Sequence, residues 1–356
     1  MSKVKIMHLI TGLPIGGAEK VLLDLCSHLD KRAFETYVVG LNDERDFFDA
    51  FKRAATSVVT LDMQKTPAGF LKAAGEIDHI IERYGIDILH AHMFHPIIFA
   101  YLAKIRHRNL KIVFTSHNEN IGGRFREIIV KATKKWRDAD ILFSRQMHTS
   151  IYRDDSLVIP NGIDTERFSA PLPKNDRFTF IAVGILREQK NHVALPAMAA
   201  KLKEKGYDFV IEIVGSGDAS GDTSRQIMSE IEKNSVADCV RMLGARRDIP
   251  ELLQKAHCFV MPSHFEGLPI ALLEAGAAAL PVITTPVGAI PSVIDERSGF
   301  PAPIEEFSQR MEEVLSDYEE AQKRGVYLQA LVRERFSISA MAHDHEMLYT
   351  TLLEKF

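Results

Sequence analysis

Apolar residues alternate between two rhythms along this chain. Short, nearly continuous apolar runs at 6–10, 36–40, 86–90 and 111–115 have the length of buried strands. Between them, apolar positions recur at helical spacing. Val21, Leu22, Leu25 and Leu29 fall on one stripe of a helix predicted over 18–29, and a second helix is predicted over 70–84. Such alternation predicts a parallel sheet covered on both faces, because parallel neighbours need a crossover connection. The stretch 161–177 is polar and turn-rich and reads as a linker. The rhythm then restarts with a strand at 179–184, a helix at 193–205 and a strand at 209–214, closed by Gly215-Ser216-Gly217. The last helical stretch, 338–356, has no strand partner. The pattern predicts an α/β chain of two Rossmann-like domains facing a cleft, over 1–165 and 172–337, with ligands expected beyond the carboxyl ends of the strands.

A length of 356 residues agrees with two domains. The three cysteines, Cys26, Cys239 and Cys258, have no metal-like spacing and read as buried thiols. The first apolar run is too short for a signal peptide, and no run reaches the roughly 18 residues of a membrane span. The expected location is cytoplasmic. The net charge of −4 hides an asymmetry. Residues 1–170 hold 24 Lys and Arg against 21 Asp and Glu, whereas the remainder holds 20 against 27. Within 104–137, ten basic residues face only Glu119 and Glu127. That stretch reads either as a solvated face or as a patch for phosphates or for an anionic membrane surface, which would make the chain peripheral at the inner face of a membrane. No nucleic-acid partner is expected.

The candidate chemistry sits where strands end. After an apolar run at 258–262, Glu266 lies in a loop and Glu274 eight residues on, with Pro269 at the expected first helical position between them. A helix start suits a phosphate, and carboxylates suit hydroxyls, so the pair fits a ligand carrying both. The plainer alternative is a capped helix with two solvated glutamates. Gly16 and Gly17 open the first helix and let backbone N–H groups approach an anion. His117 and Asn118 follow one strand, and His90 and His92 end another. The spacing of His90 and His92 resembles a metal pair, but with no third ligand near in sequence they are read as lining an acceptor cleft, with no metal. Asp138-Ala139-Asp140, just before a strand predicted at 141–143, is read as structural.

Taken in order, these segments resemble the retaining GT-B glycosyltransferases of family 4, including their Glu-x7-Glu signature. The resemblance implies that Glu266, with Gly267 and Leu268, holds donor-sugar hydroxyls and that Glu274 holds the ribose of the nucleotide. It implies that Gly16, Gly17 and Gly215 border the donor, that Lys190 meets its diphosphate, and that His117 stands beside the reacting sugar. His117, Glu266 and Lys190 are the expected catalytic set. The family also implies that the last helix packs back on the N-terminal domain. One position departs from the pattern. The family places Arg after Gly184, and this chain has Ile185, leaving Arg187 as the candidate to reach the same oxygens.

The implied reaction needs no cofactor. A nucleotide diphosphate sugar, expected to be UDP-linked, would donate to a glycan or to a polyprenyl-diphosphate-linked sugar in polysaccharide assembly, as in capsule or lipopolysaccharide. The alternatives are a nucleotide-sugar epimerase on the same architecture, or a sugar-nucleotide-binding protein with impaired catalysis.

Overall fold

The computed structural model describes residues 3–117, 121–168, 172–217 and 221–354. Contacts divide the chain into two units, one formed by residues 1–162 with 338–356 and the other by 163–337.

The first unit carries seven parallel strands: β1 (Val4–Ile10), β2 (Phe34–Gly40), β3 (Ser57–Thr60), β4 (Ile88–His92), β5 (Lys111–Thr115), β6 (Ala139–Leu142) and β7 (Leu157–Val158). Their order is β3-β2-β1-β4-β5-β6-β7. The second unit carries β8 (Thr179–Val183), β9 (Val210–Val214), β10 (Val240–Gly244), β11 (Cys258–Met261), β12 (Val282–Thr284) and β13 (Phe300–Pro301), in the order β10-β9-β8-β11-β12-β13. Both sheets are doubly wound. The order in which successive strands are added reverses between β1 and β4 in one and between β8 and β11 in the other, the switch points at which such sheets bind ligands.

Period-two alternation decides what each sheet face buries. Met7 and Leu9 point into one core of the first unit with Leu89, Ala91, Ile112 and Phe114. Ile10 and Val38 point to the other face, against Leu22 and Cys26 of the helix Gly17–His28. The helix predicted over 70–84 runs from Pro67 to Tyr84. Thr66 caps it by accepting from the Gly69 N–H at 3.0 Å, and Gly85, at φ +62, ends it. The C-terminal helix Ile338–Glu354 belongs to the first unit. Its Met341 Sδ accepts from the Gly162 N–H, and its Glu346 accepts from the Asp30 N–H at 2.7 Å. All three cysteines are buried free thiols.

Two local expectations are corrected. Pro269 is not the first helical residue. The helix Ile270–Ala277 starts one residue later, and Pro269, extended at ψ 128, is its N-cap. The Pro269 carbonyl accepts from the Leu273 N–H, as an N-cap carbonyl does. The strand expected at 141–143 begins at Ala139, which places Asp140 inside it. Burial of Asp140 is tolerated because Arg137 lies 3.2 Å away and the Arg153 N–H donates to it at 2.7 Å. Asp138 accepts from the Ile112 N–H and pairs with Lys104 and Lys111, so both carboxylates of this segment are structural.

The basic stretch is less charged than its sequence. Lys104 and Lys111 are held by Asp138, Arg106 by Asp78, Lys134 by Asp154 and Arg137 by Asp140. The helix Arg124–Thr133 and the turn after it nonetheless expose Arg124, Lys131 and Lys135 beside Phe125 (74% exposed), Ile128 (65%) and Trp136. No helix among the described residues is long and apolar enough to cross a membrane.

Candidate active site

In the second unit, two loops meet at the switch point. The loop after β8 runs through Gly184, Ile185 and Arg187 to Lys190, and the loop after β11 runs from Pro262 to Pro269. Three contacts join them. Lys190 Nζ lies 2.6 Å from Glu266 Oε1 as an ion pair, the Gln189 side chain donates to the Phe265 carbonyl at 2.9 Å, and the His264 N–H donates to the Gln189 carbonyl at 2.8 Å. Glu266 is 4% exposed and Lys190 half-buried, so the pair is largely out of water.

Close backbone packing sets this geometry. A Cβ on Gly288, whose φ is +57, would collide with the Glu266 carbonyl, and one on Gly215 would collide with the Gly184 carbonyl. The Ala289 N–H donates to the Gly267 carbonyl at 3.0 Å, and the Leu186 N–H to the Ser216 carbonyl at 2.8 Å. The loops after β8, β9, β11 and β12 therefore brace one another. Gly267 and Leu268 are buried, Glu274 is half-buried on the helix that follows them, and Arg187 is exposed. Ile185 is half-buried and brings no charge to this rim.

In the first unit, Gly16 is the extended N-cap of the helix Gly17–His28. Glu19, buried in the first turn, occupies the space a Cβ on Gly16 would need, whereas Gly17 has open space around it. A side chain at Gly16 would have to displace the carboxylate end of Glu19, whereas one at Gly17 would meet nothing within 4 Å. Asn118 lies outside the described residues.

The histidines form one cluster. His8 and His90 are register partners on β1 and β4, and His92 follows on the same face. His92 Nδ1 is 2.9 Å from His117 Nε2, and His92 Nε2 is 3.1 Å from His8 Nδ1. His90 is fixed by Tyr349 Oη at 2.8 Å and Thr115 Oγ1 at 2.9 Å. Burial lowers the pKa of His8 and His117 to about 3 and that of His345 to about 4, and holds His90 and His92 well below the usual histidine value. All five are neutral at pH 7.

His8 supplies the third histidine that the spacing of His90 and His92 lacked. The three could offer ligand atoms within 4.8 Å of one another. However, both ring nitrogens of His90 and of His92 already have hydrogen-bond partners, and only His8 Nε2 has none among the described residues. One spare lone pair describes a hydrogen-bonded chain better than a cation site. His8, Tyr349 and His345 were not legible as site residues. A polar residue at the centre of an apolar run, as His8 is in β1, was the only signal.

The profile of the glycosyl transferases group 1 matches residues 163–329, and that of Glycosyltransferase Family 4 matches residues 15–167. Together they span both units, and the chain belongs to these glycosyltransferases. It is similar to the UDP-Gal:alpha-D-GlcNAc-diphosphoundecaprenol alpha-1,3-galactosyltransferase of Escherichia coli, with 26% identity over 316 residues and 80% of each chain covered. It is also similar to the capsular polysaccharide biosynthesis glycosyltransferase CapH of Staphylococcus aureus, with 23% identity over 76% of this chain and 78% of that one. Among solved structures, Anabaena HepE in complex with UDP superposes with a TM-score of 0.84 over 98% of this chain and 100% of its own, at 17% identity. The fold is GT-B, and the protein is a glycosyltransferase.

Proposed function

We propose that this enzyme transfers a sugar, with retention and without a metal, from a UDP-linked donor to a lipid-linked or glycan acceptor in cell-surface polysaccharide assembly. The observation that carries the reading is the Lys190–Glu266 pair, set at the switch point of the second unit beside the helix bearing Glu274. Lys190 would turn towards the diphosphate and offset the charge that develops as it leaves. Glu266 would accept from donor-sugar hydroxyls and Glu274 from the ribose. Arg187 would take the place of the arginine that Ile185 replaces. The departing phosphate would help to deprotonate the acceptor hydroxyl on the same face. The names of the galactosyltransferase, of CapH and of the UDP complex support the donor and acceptor classes.

Calorimetric titration with UDP, GDP and ADP tests the donor site. UDP is expected to bind, and Glu274→Ala is expected to weaken it by roughly 10- to 100-fold, the loss of a charged hydrogen bond of about 1.5–3 kcal/mol. Binding of none of the three would overturn the assignment.

A lipid-linked acceptor calls for a membrane-facing surface, and we assign it to the helix Arg124–Thr133. Phe125 and Ile128 would enter the interface while Arg124, Lys131 and Lys135 meet anionic headgroups, each cation contributing about 1 kcal/mol. Lys131→Glu with Lys135→Glu is expected to abolish sedimentation with anionic vesicles. Lys134→Glu should have a smaller effect, because Lys134 already pairs with Asp154. Equal losses from both variants would argue for non-specific charge attraction.

A further inference from the structure

We infer that His8 and His92 are positioning residues that fix His117 as a hydrogen-bond donor through Nδ1. The inference rests on the proposed place of His117 beside the reacting sugar, and it adds a direction to that role.

The argument is a count of hydrogens. A neutral imidazole carries one N–H, and three neutral rings carry three. The His117–His92 and His92–His8 contacts each need one of them. Only two arrangements satisfy both contacts. In one, His8 Nδ1–H donates to His92 Nε2, His92 Nδ1–H donates to His117 Nε2, and the third hydrogen sits on His117 Nδ1. In the other, every hydrogen moves to the opposite nitrogen, and the third sits on His8 Nε2.

His8 Nε2 is buried and has no partner among the described residues. The second arrangement would strand an N–H donor there, whereas the first leaves only an unused lone pair. Buried orphan N–H groups are the rarer defect. The burial of His8 thus decides the tautomer of a ring two links away. His117 becomes a donor, and with its pKa lowered to about 3 it neither gains a proton near neutral pH nor acts as a base there. The charged and titratable groups around the chain are Lys31, which follows the helix Gly17–His28, His345 and Tyr349 on the C-terminal helix, and His90 on β4.

The backbone keeps the ring in place. His117 has a φ of +64 and Met93 a φ of +70, conformations that residues with side chains seldom adopt. The Met93 N–H donates to the Thr115 carbonyl at 2.8 Å and ties the end of β4 to that of β5. Such strain persists where the surroundings over-determine it.

The test has a spectroscopic arm and a kinetic arm, both on the full chain. Nitrogen-15 spectra of labelled histidines are expected to show His8, His92 and His117 as Nδ1–H tautomers, the opposite of the form free histidine favours. An Nε2–H signal for His117, or one zinc ion per chain in the purified protein, would overturn the inference. In the kinetic arm, His92→Ala is expected to lower kcat about 10- to 100-fold with little change in donor KM. His92→Asn, whose amide can donate where Nδ1–H did, is expected to restore most of it, and no limb between pH 6 and 7 should appear in the native rate profile. If His92→Asn stays as slow as His92→Ala while both remain folded, the positioning role fails. If His117→Ala retains full transfer, the placement of His117 at the reaction fails instead, and the spectra still decide the tautomer.

Discussion

Lys190→Ala is expected to lower kcat about 10²- to 10³-fold, the usual cost of removing one preorganised group from a developing charge. The same change would leave Glu266 buried without its cation. Breaking such a pair costs roughly 3–5 kcal/mol, so the second unit should also lose stability. The two effects separate in a double variant. Lys190→Met with Glu266→Gln removes both charges at nearly constant volume, and replacing a whole pair is close to neutral. Thermal melts of this variant are expected to return towards the native value while transfer of sugar from the donor stays low. Recovery of transfer in the double variant would remove Lys190 from the chemistry and leave it a purely structural partner of Glu266.

The second large effect is expected in mild acid. His8, His90, His92 and His345 are buried in the first unit with folded pKa values below the ordinary 6.5. Above pH 6.5 both folded and unfolded chains hold these rings neutral, and they cost nothing. Below it the unfolded chain binds protons that the folded chain excludes, so stability falls as pH falls. Each ring removes up to about 1.4 kcal/mol per pH unit until its folded pKa is reached. Four rings acting together can exhaust the roughly 5–15 kcal/mol of a typical domain before pH 4. In the second unit, His192 is buried with its pKa lowered to about 3, but it stands apart from any comparable cluster among the described residues. Hydrogen exchange followed from pH 7 to pH 4.5 should therefore show β1 and β4 losing protection before β8 and β11. Equal protection of the two sheets at pH 4.5 would mean that the cluster accepts protons without unfolding.

Much of the fold was legible because period and spacing survive in a linear chain. The run at 111–115 is β5 residue for residue, and the restart of the rhythm after 177 marks a second sheet. Glu266 and Glu274 were singled out by their eight-residue spacing across a predicted helix start, and Lys190 by the family resemblance alone. The contact between Lys190 and Glu266 was not legible. It spans 76 positions and depends on β8 and β11 being neighbours, which periodicity does not specify. His8 was missed for a related reason. Alternation tells which residues share a face of β1, but only register places His8 opposite His90. The need of Gly288 to lack a side chain comes from the Glu266 carbonyl, which belongs to another loop, so no local pattern reveals it. The free charge of 104–137 is smaller than its count because the count omits the carboxylates brought in from positions 78, 138, 140 and 154.

The C-terminal helix has a consequence for how the chain is made. The histidine face of the first sheet is complete once β5 and His117 have left the ribosome, but Tyr349, which fixes His90, is encoded beyond the whole second unit. At roughly 5–20 residues per second, the 175 residues between Gly162 and Ile338 take about 10–35 s to synthesise. During that interval the second unit can complete its sheet while the first waits with part of its buried surface open to water. The unit that begins first is the one that finishes last, and a nascent chain stalled or truncated before residue 338 would present that face to chaperones and proteases.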